Sequence, residues 1–427
     1  MDRNKERESR KRKLRAGVID SGRSVLPQGV PSNVAVHFGE SPDGEQEEHR
    51  EKNRRKRRGR LLAAAFVVLL VAAGITGYRL YLSNHQYKEI AVLWEKEVVA
   101  DASSGYEAYG ENVLRYTRDG ASYLNQKGEE IWNQPYEMES PFAAVRGDYA
   151  VIADRNGYSI YICDKTGRQG TVTTQLPISK VSVSATGITV AILEDAKSST
   201  IAFYDKTGTK LQIEVQVTLA GNGYPIDLDI SPNGMLLMVS YVYLDQGLMQ
   251  NQVVFYNFDD EGQSVKDRLV GGFKEYGDSI VARVRFLDNT HACAFAQDRL
   301  CFYSLEHTMK PELTKQVDIN GEIDSICYSE DYAGVIASES GGPKKLSLYG
   351  SSGNEIFSEE TGAGYEHMEL SGSYVLLYRE AECKIYHVSG KLKYEGALPG
   401  GTDKLICLGE RHYIQLGPQF VRELELQ

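Results

Sequence analysis

The residues able to do chemistry are few and scattered. The eight histidines are His37, His49, His85, His291, His307, His367, His387 and His412. No two form a His-Glu-x-x-His pair, so a metal would need three or four of them brought together from distant parts of the chain. His291 and His412 are the one pair in equivalent places, each opening a second strand of a repeat described below. Asp227 and Asp229 stand two apart on a strand, and so on one face of it. Such a pair could meet a ligand, although solvated or turn-bonded carboxylates explain it more simply. Asn257-Phe258-Asp259-Asp260-Glu261-Gly262 imitates the opening of a calcium loop, but the closing position, which needs a bidentate Glu, is Arg268. It reads as a hairpin turn. No Gly-x-Ser-x-Gly, phosphate loop or dinucleotide fingerprint is present. The sequence therefore assigns no catalytic, cofactor-binding or metal-binding residue.

The elements that would position any site are easier to read. Ile201-Ala202-Phe203-Tyr204-Asp205-Lys206-Thr207-Gly208 is an aromatic strand running into a turn, followed by a second strand, Lys210 to Gln216. The Asp bonds local backbone and the Gly supplies a positive φ, which makes a β-hairpin. Ile160-Tyr161-Ile162-Cys163-Asp164-Lys165-Thr166-Gly167 is nearly the same string. Weaker copies end at Gly128, Gly262, Thr308, Gly353 and Gly390. The turn glycines 128, 167, 208, 262, 353 and 390 follow one another at intervals of 39, 41, 54, 91 (two units) and 37 residues. A period near forty built from strands predicts a β-propeller.

Two strands precede each marked hairpin, as in Ile226 to Ile230, the turn Ser231-Pro232-Asn233-Gly234, and Met235 to Tyr243. Four strands per unit make a blade. Blades are expected at 104–135, 136–177, 178–220, 221–273, 274–319, 320–361, 362–397 and 398–427, with seven blades as the alternative count. The last unit has only three evident strands. Ile90 to Lys96 can supply the fourth and close the ring without an open sheet edge. The 27 tyrosines, mostly in strands, read as packing between blades.

Net charge is −11, unevenly spread. Residues 1–60 hold 17 Lys/Arg against 10 Asp/Glu, leaving the remainder at −18. An acidic main domain argues against a nucleic-acid-binding role there, since phosphate contacts need a basic face. Segment 1–60, nearly without aromatics, reads as a disordered basic tail. Its last cluster, Arg50 to Arg60, has eight Lys or Arg in eleven residues and could attract anionic lipid headgroups or serve only as a topology signal. Leu61 to Tyr78 is eighteen residues without a charge. Extended past Arg79 to Leu82, residues 61–82 predict an uncleaved transmembrane signal anchor rather than a signal peptide, because a sixty-residue leader is too long for one. The positive-inside rule then keeps the tail in the cytoplasm and puts the stalk 83–88 and the propeller 89–427 outside. Outside the cytoplasm a disulfide is permitted. Cys293 and Cys301 flank Gln297 symmetrically and could form one. Cys163, Cys327, Cys383 and Cys407 sit in different repeats and read as buried thiols.

Leu93-Trp94-Glu95, Tyr116-Thr117-Arg118-Asp119-Gly120, Ile131-Trp132-Asn133-Gln134-Pro135-Tyr136 and the Tyr-Asp-Lys-Thr-Gly repeats carry a resemblance. The anchor and exterior region together resemble an uncharacterised family of membrane-anchored β-propeller proteins from Clostridia-like Gram-positive bacteria, known only as a domain of unknown function. More distantly, the repeats look like blades of quinoprotein dehydrogenases and of outer-membrane assembly propellers. The resemblance implies a propeller at the cell surface and transfers no site residue. Two functions are then expected in order. The first is a binding or scaffold module for an unknown envelope protein, held to the membrane by 61–82. The alternative is an extracytoplasmic enzyme, quinoprotein-like or glycan-acting, that uses the central channel. Transmembrane signalling through the tail ranks third.

Overall fold

The structure is a computed structural model describing residues 63–78, 81, 84–98, 104–195, 198–218, 223–338, 342–362, 364–365 and 367–427. The basic tail 1–60, with its Arg50 to Arg60 cluster, lies outside the described residues. So do residues 61–62, 79–80 and 82–83 of the expected anchor and stalk. The chain divides into two compact units, Met1–Arg79 and Leu80–Gln427. In the first, residues 63–78 are helical with every side chain exposed. Among the described residues no helix is long and apolar enough to cross a membrane, so the expected span 61–82 is not seen as one.

The second unit is an eight-bladed propeller. Each blade is a four-stranded antiparallel sheet, and in blades 1 to 7 the strands follow one another in sequence. Blades 1 to 7 span 105–135, 141–173, 178–218, 224–273, 281–318, 322–362 and 367–397. Blade 8 takes three strands from 404–426 and its fourth from Ile90–Glu97, which pairs with Phe420–Leu426 from Ile90↔Leu426 to Glu97↔Phe420. The eight-blade count and the closing strand are as the sequence predicts. Tyr87, within the expected stalk, is buried, and its N–H donates to the Lys393 carbonyl at 2.8 Å.

Among the described residues there are eight apolar cores, one at each interface between neighbouring blades, blades 8 and 1 included. Alternate strand residues face opposite neighbours, so each blade contributes to two cores. This alternation decides the cysteine question. Cys293 pairs with Phe302 and Cys301 with Ala294, because the turn between their strands holds two residues, Gln297 and Asp298. The thiols therefore point to opposite sides. Cys293 packs between blades 5 and 6, and Cys301 between blades 4 and 5. All six cysteines are free, so the Cys293–Cys301 disulfide that the sequence allowed is not formed.

The antiparallel order gives the propeller two unlike faces. On the face we call lower lie the turns that end each inner strand and the Asp-Lys-Thr-Gly turns. On the upper face lie the hairpins joining second to third strands. One of these stands out. Leu236–Asp245 and Leu248–Asn257 in blade 4 run ten residues each and stay paired to Asp245↔Leu248, whereas the inner strand begins only at Tyr224, opposite Val242. The tip turns on Gln246 (φ 48°) and Gly247 (φ 83°), the left-handed pair of a tight type I′ turn. Leu244 and Leu248 there are 75% and 67% exposed.

Candidate functional site: the central channel

The first strand of each blade lies innermost, and from blade 1 to blade 5 and between blades 6 and 7 neighbouring first strands contact one another around the channel. An inner strand is a sheet edge, so its inward N–H groups need partners from elsewhere. Asp227 and Asp229, on Tyr224–Ile230 of blade 4, supply them. They are not solvated as the sequence suggested, but 1% and 0% exposed. Asp227 Oδ2 accepts the Val284 N–H at 2.8 Å, and Asp229 Oδ2 accepts the Phe286 N–H at 2.9 Å, both from the inner strand of blade 5.

A buried carboxylate also needs counter-charge, and four cations provide it. Lys180 Nζ of blade 3 reaches Asp227 Oδ1 at 2.6 Å, and Arg283 Nη1 of blade 5 reaches the same oxygen at 3.4 Å. Arg146 Nη2 of blade 2 donates to Asp229 Oδ2 at 2.7 Å and also to the Phe286 carbonyl at 3.2 Å. Arg285 donates through Nη1 to Asp229 Oδ1 at 3.1 Å and through Nη2 to Tyr328 Oη of blade 6 at 2.8 Å, its guanidinium 4.5 Å from the Tyr328 ring. Ser182 Oγ of blade 3 adds 2.6 Å to Asp229 Oδ1. Two side chains of blade 4 thus tie blades 2, 3 and 5 together, and Arg285 extends the tie to blade 6. Burial lowers the Lys180 ammonium, more than Asp227 restores it, and Arg283 and Arg285 add to the depression.

The remaining blades are joined by a second, smaller set. Lys404 of blade 8 reaches Glu107 of blade 1 at 2.9 Å and Glu369 of blade 7 at 3.5 Å. Burial alone would lower its pKa, but the two carboxylates outweigh that and hold it above the ordinary lysine value. Tyr378 Oη donates to Glu369 at 2.6 Å.

The other candidates are used locally. His291 Nδ1 lies 2.8 Å from Asp288, and His412 Nδ1 lies 2.9 Å from Glu423. They do open equivalent second strands, but among the described residues no three His, Cys, Asp or Glu side chains could hold a metal. In the calcium-like stretch, Asp259 Oδ1 accepts the Gly262 N–H at 3.0 Å while Arg268 donates to the Asp259 carbonyl at 3.3 Å. The simple hairpin turn expected there is an eleven-residue link carrying two short 3-10 turns, Gly262–Ser264 and Lys266–Arg268. Gly262 is not left-handed. A Cβ on it would sit 2.0 Å from the Asn257 carbonyl, so the glycine serves space. Asp205 Oδ1 accepts the N–H groups of Thr207 at 2.8 Å and Thr209 at 3.0 Å, and Asp164 Oδ1 that of Thr166 at 2.7 Å, which is turn chemistry as read.

Reasoning from sequence found Asp227 and Asp229 but missed Arg146, Lys180, Arg283, Arg285 and Lys404. A signal existed. Aligning the inner strands sets Lys180-Val181-Ser182, Asp227-Leu228-Asp229 and Arg283-Val284-Arg285 side by side in consecutive blades.

The fold defines an all-β propeller of the kind built from four-stranded antiparallel blades. The chain belongs to the family of unknown function DUF5711, whose model matches residues 83–426. No curated protein sequence matches it. Among solved structures it is similar to BamB from Moraxella catarrhalis at 11% identity and a TM-score of 0.50, covering 79% of this chain and 100% of that one. It is also similar to Hsv2p from Kluyveromyces lactis (12%, 0.45, covering 69% and 97%) and to the Pan2 WD40 domain from Neurospora crassa (8%, 0.44, covering 80% and 97%). At these identities the likeness is one of fold.

Proposed function

We propose that this protein is a binding module, a propeller that presents its upper face to a protein partner. The observation that carries this is the blade 4 hairpin, which holds Leu244, Leu248 and Met249 in water beyond the end of its sheet. Apolar side chains grouped at a projecting tip mark interaction surfaces. The channel supports the same reading, because its carboxylates are committed to ion pairs between blades. Localisation is part of the proposal. The charge-free run 61–78 behind the basic residues 50–60 supports anchorage at the outer face of a cell membrane, with the propeller outside. Ile90 pairs with Leu426 at the lower face, whereas the Leu244 and Leu248 tip lies on the upper face.

The test is cross-linking in cells, with the full-length chain recovered and its companions identified. One or two envelope proteins held by the native chain and by Lys310→Gln, and lost with Leu244→Glu/Leu248→Glu, support the proposal. The same companions with all three chains would refute it.

A further inference from the structure

The channel network is unbalanced in a way that points to a ligand. Four cations face two carboxylates, inside a region that is acidic overall. The acceptors are full on Asp229 and three-quarters used on Asp227. Asp229 takes Ser182, Arg285, Arg146 and the Phe286 N–H, while Asp227 takes Lys180, Arg283 and the Val284 N–H. The donors are not. An ammonium has three N–H bonds and a guanidinium five. Lys180 uses one of its three, on Asp227. Arg283 has one polar contact among the described residues, at 3.4 Å, and its side chain is 31% exposed. The buried Nε–H of Arg285 meets no acceptor among the described residues. Lys180 and Arg283 share one oxygen of Asp227, so their charged heads are neighbours. Burial first, and then Arg283 and Arg285 beside it, depress the Lys180 ammonium.

We propose that the channel of blades 3 to 5 binds a small dianion carrying several oxygens, a phosphate or a dicarboxylate, on Lys180, Arg283 and Arg285. Such a group offers what the site lacks, acceptors and negative charge, and guanidinium donors match its geometry. Asp227 and Asp229 hold the cations apart from one another and orient them. A monovalent halide, with one charge and no oxygen fork, fits poorly.

Isothermal titration of the full-length protein tests this, with inorganic phosphate in one arm and malonate in the other, each at ionic strength matched with sodium chloride. The expected result is one site per chain for at least one probe, and the arm that binds identifies the source. Arg283→Gln should weaken it by about tenfold, the value of one charge-assisted hydrogen bond, and Lys180→Gln likewise. Lys310→Gln, on an exposed pair, should leave it unchanged. Arg283 makes so little contact that its variant folds, which thermal melting without ligand verifies. No saturable binding of either probe overturns the proposal, as does equal binding by the native chain, Arg283→Gln and Lys180→Gln.

Discussion

Removing Asp229 should loosen four blades together. In Asp229→Ala the buried carboxylate is lost, leaving the Arg146 and Arg285 guanidiniums facing each other and the Phe286 N–H without an acceptor. Breaking a buried pair from one side costs about 3–5 kcal/mol, and an orphaned buried N–H about 1–3 kcal/mol within that. The two guanidiniums are 12% and 21% exposed, so water recovers part of the loss, and the lower end, about 3 kcal/mol, is the expectation. That is a large part of the roughly 5–15 kcal/mol that holds a domain folded. Urea unfolding reads it as a fall in midpoint at unchanged slope. Glu312→Gln breaks the exposed Lys310 pair and should change nothing measurable. The double variant Arg146→Ala/Asp229→Ala should be less unstable than the two single losses added, because the cation left unpaired is gone. A loss below about 1 kcal/mol for Asp229→Ala, no larger than an exposed pair gives, would show that the carboxylate does not bind the blades to one another.

Other outcomes follow from the same geometry. Gly208 (φ 84°) would place a Cβ 2.6 Å from the Thr171 carbonyl, whereas Gly247 (φ 83°) has open space around it. Gly247→Ala should therefore cost about 1 kcal/mol from backbone alone, and Gly208→Ala clearly more, by thermal melting of both. Burial pushes the Cys301 and Cys407 thiols up to about 11, and the Cys163 and Cys383 thiols and the Tyr386 phenol up to about 12. The unfolded chain ionises these groups near pH 8.5 and 10, while the folded chain keeps their protons, so stability is complete below that range and falls as pH rises through it. Urea midpoints between pH 7 and 11 check the sign, and iodoacetamide at pH 8 should label the thiols only after unfolding. Deleting Ile90–Glu97 exposes Phe420–Leu426 as an open edge, and size-exclusion chromatography should show association in place of a monomer peak.

Architecture was legible because it repeats. The period near forty, the Asp-Lys-Thr-Gly turns and the alternation of Ile226 to Ile230 are local signals, and each recurs often enough to correct a weak copy. The closing strand was legible from a shortage, three strands in a unit that needs four. The channel was not, since its partners lie on the inner strands of different blades, only one or two residues from each. Arg146 and Asp229 meet only because the ring curves, and no local pattern encodes that curve. The disulfide that the sequence left open is ruled out by a single residue of register. Symmetry about Gln297 puts two thiols opposite each other, but a two-residue turn centres the hairpin between Gln297 and Asp298 and sends them to different cores.

The closing strand also sets the order in which the ring can be made. Ile90–Glu97 is among the first parts of the propeller to be synthesised, yet its partner, Phe420–Leu426, is the last. Until the ribosome reaches the end, blades 1 to 7 can form by local pairing while the first strand waits without a sheet. Long-range pairing of this kind is slow, because the chain must close a large loop before the contact rewards it. The nearly finished propeller is therefore an open arc with a sticky edge at each end, and its exposure to aggregation is greatest just before completion. A helper that holds Ile90–Glu97, or any delay in completing Phe420–Leu426, would govern the yield of folded protein more than the stability of a single blade.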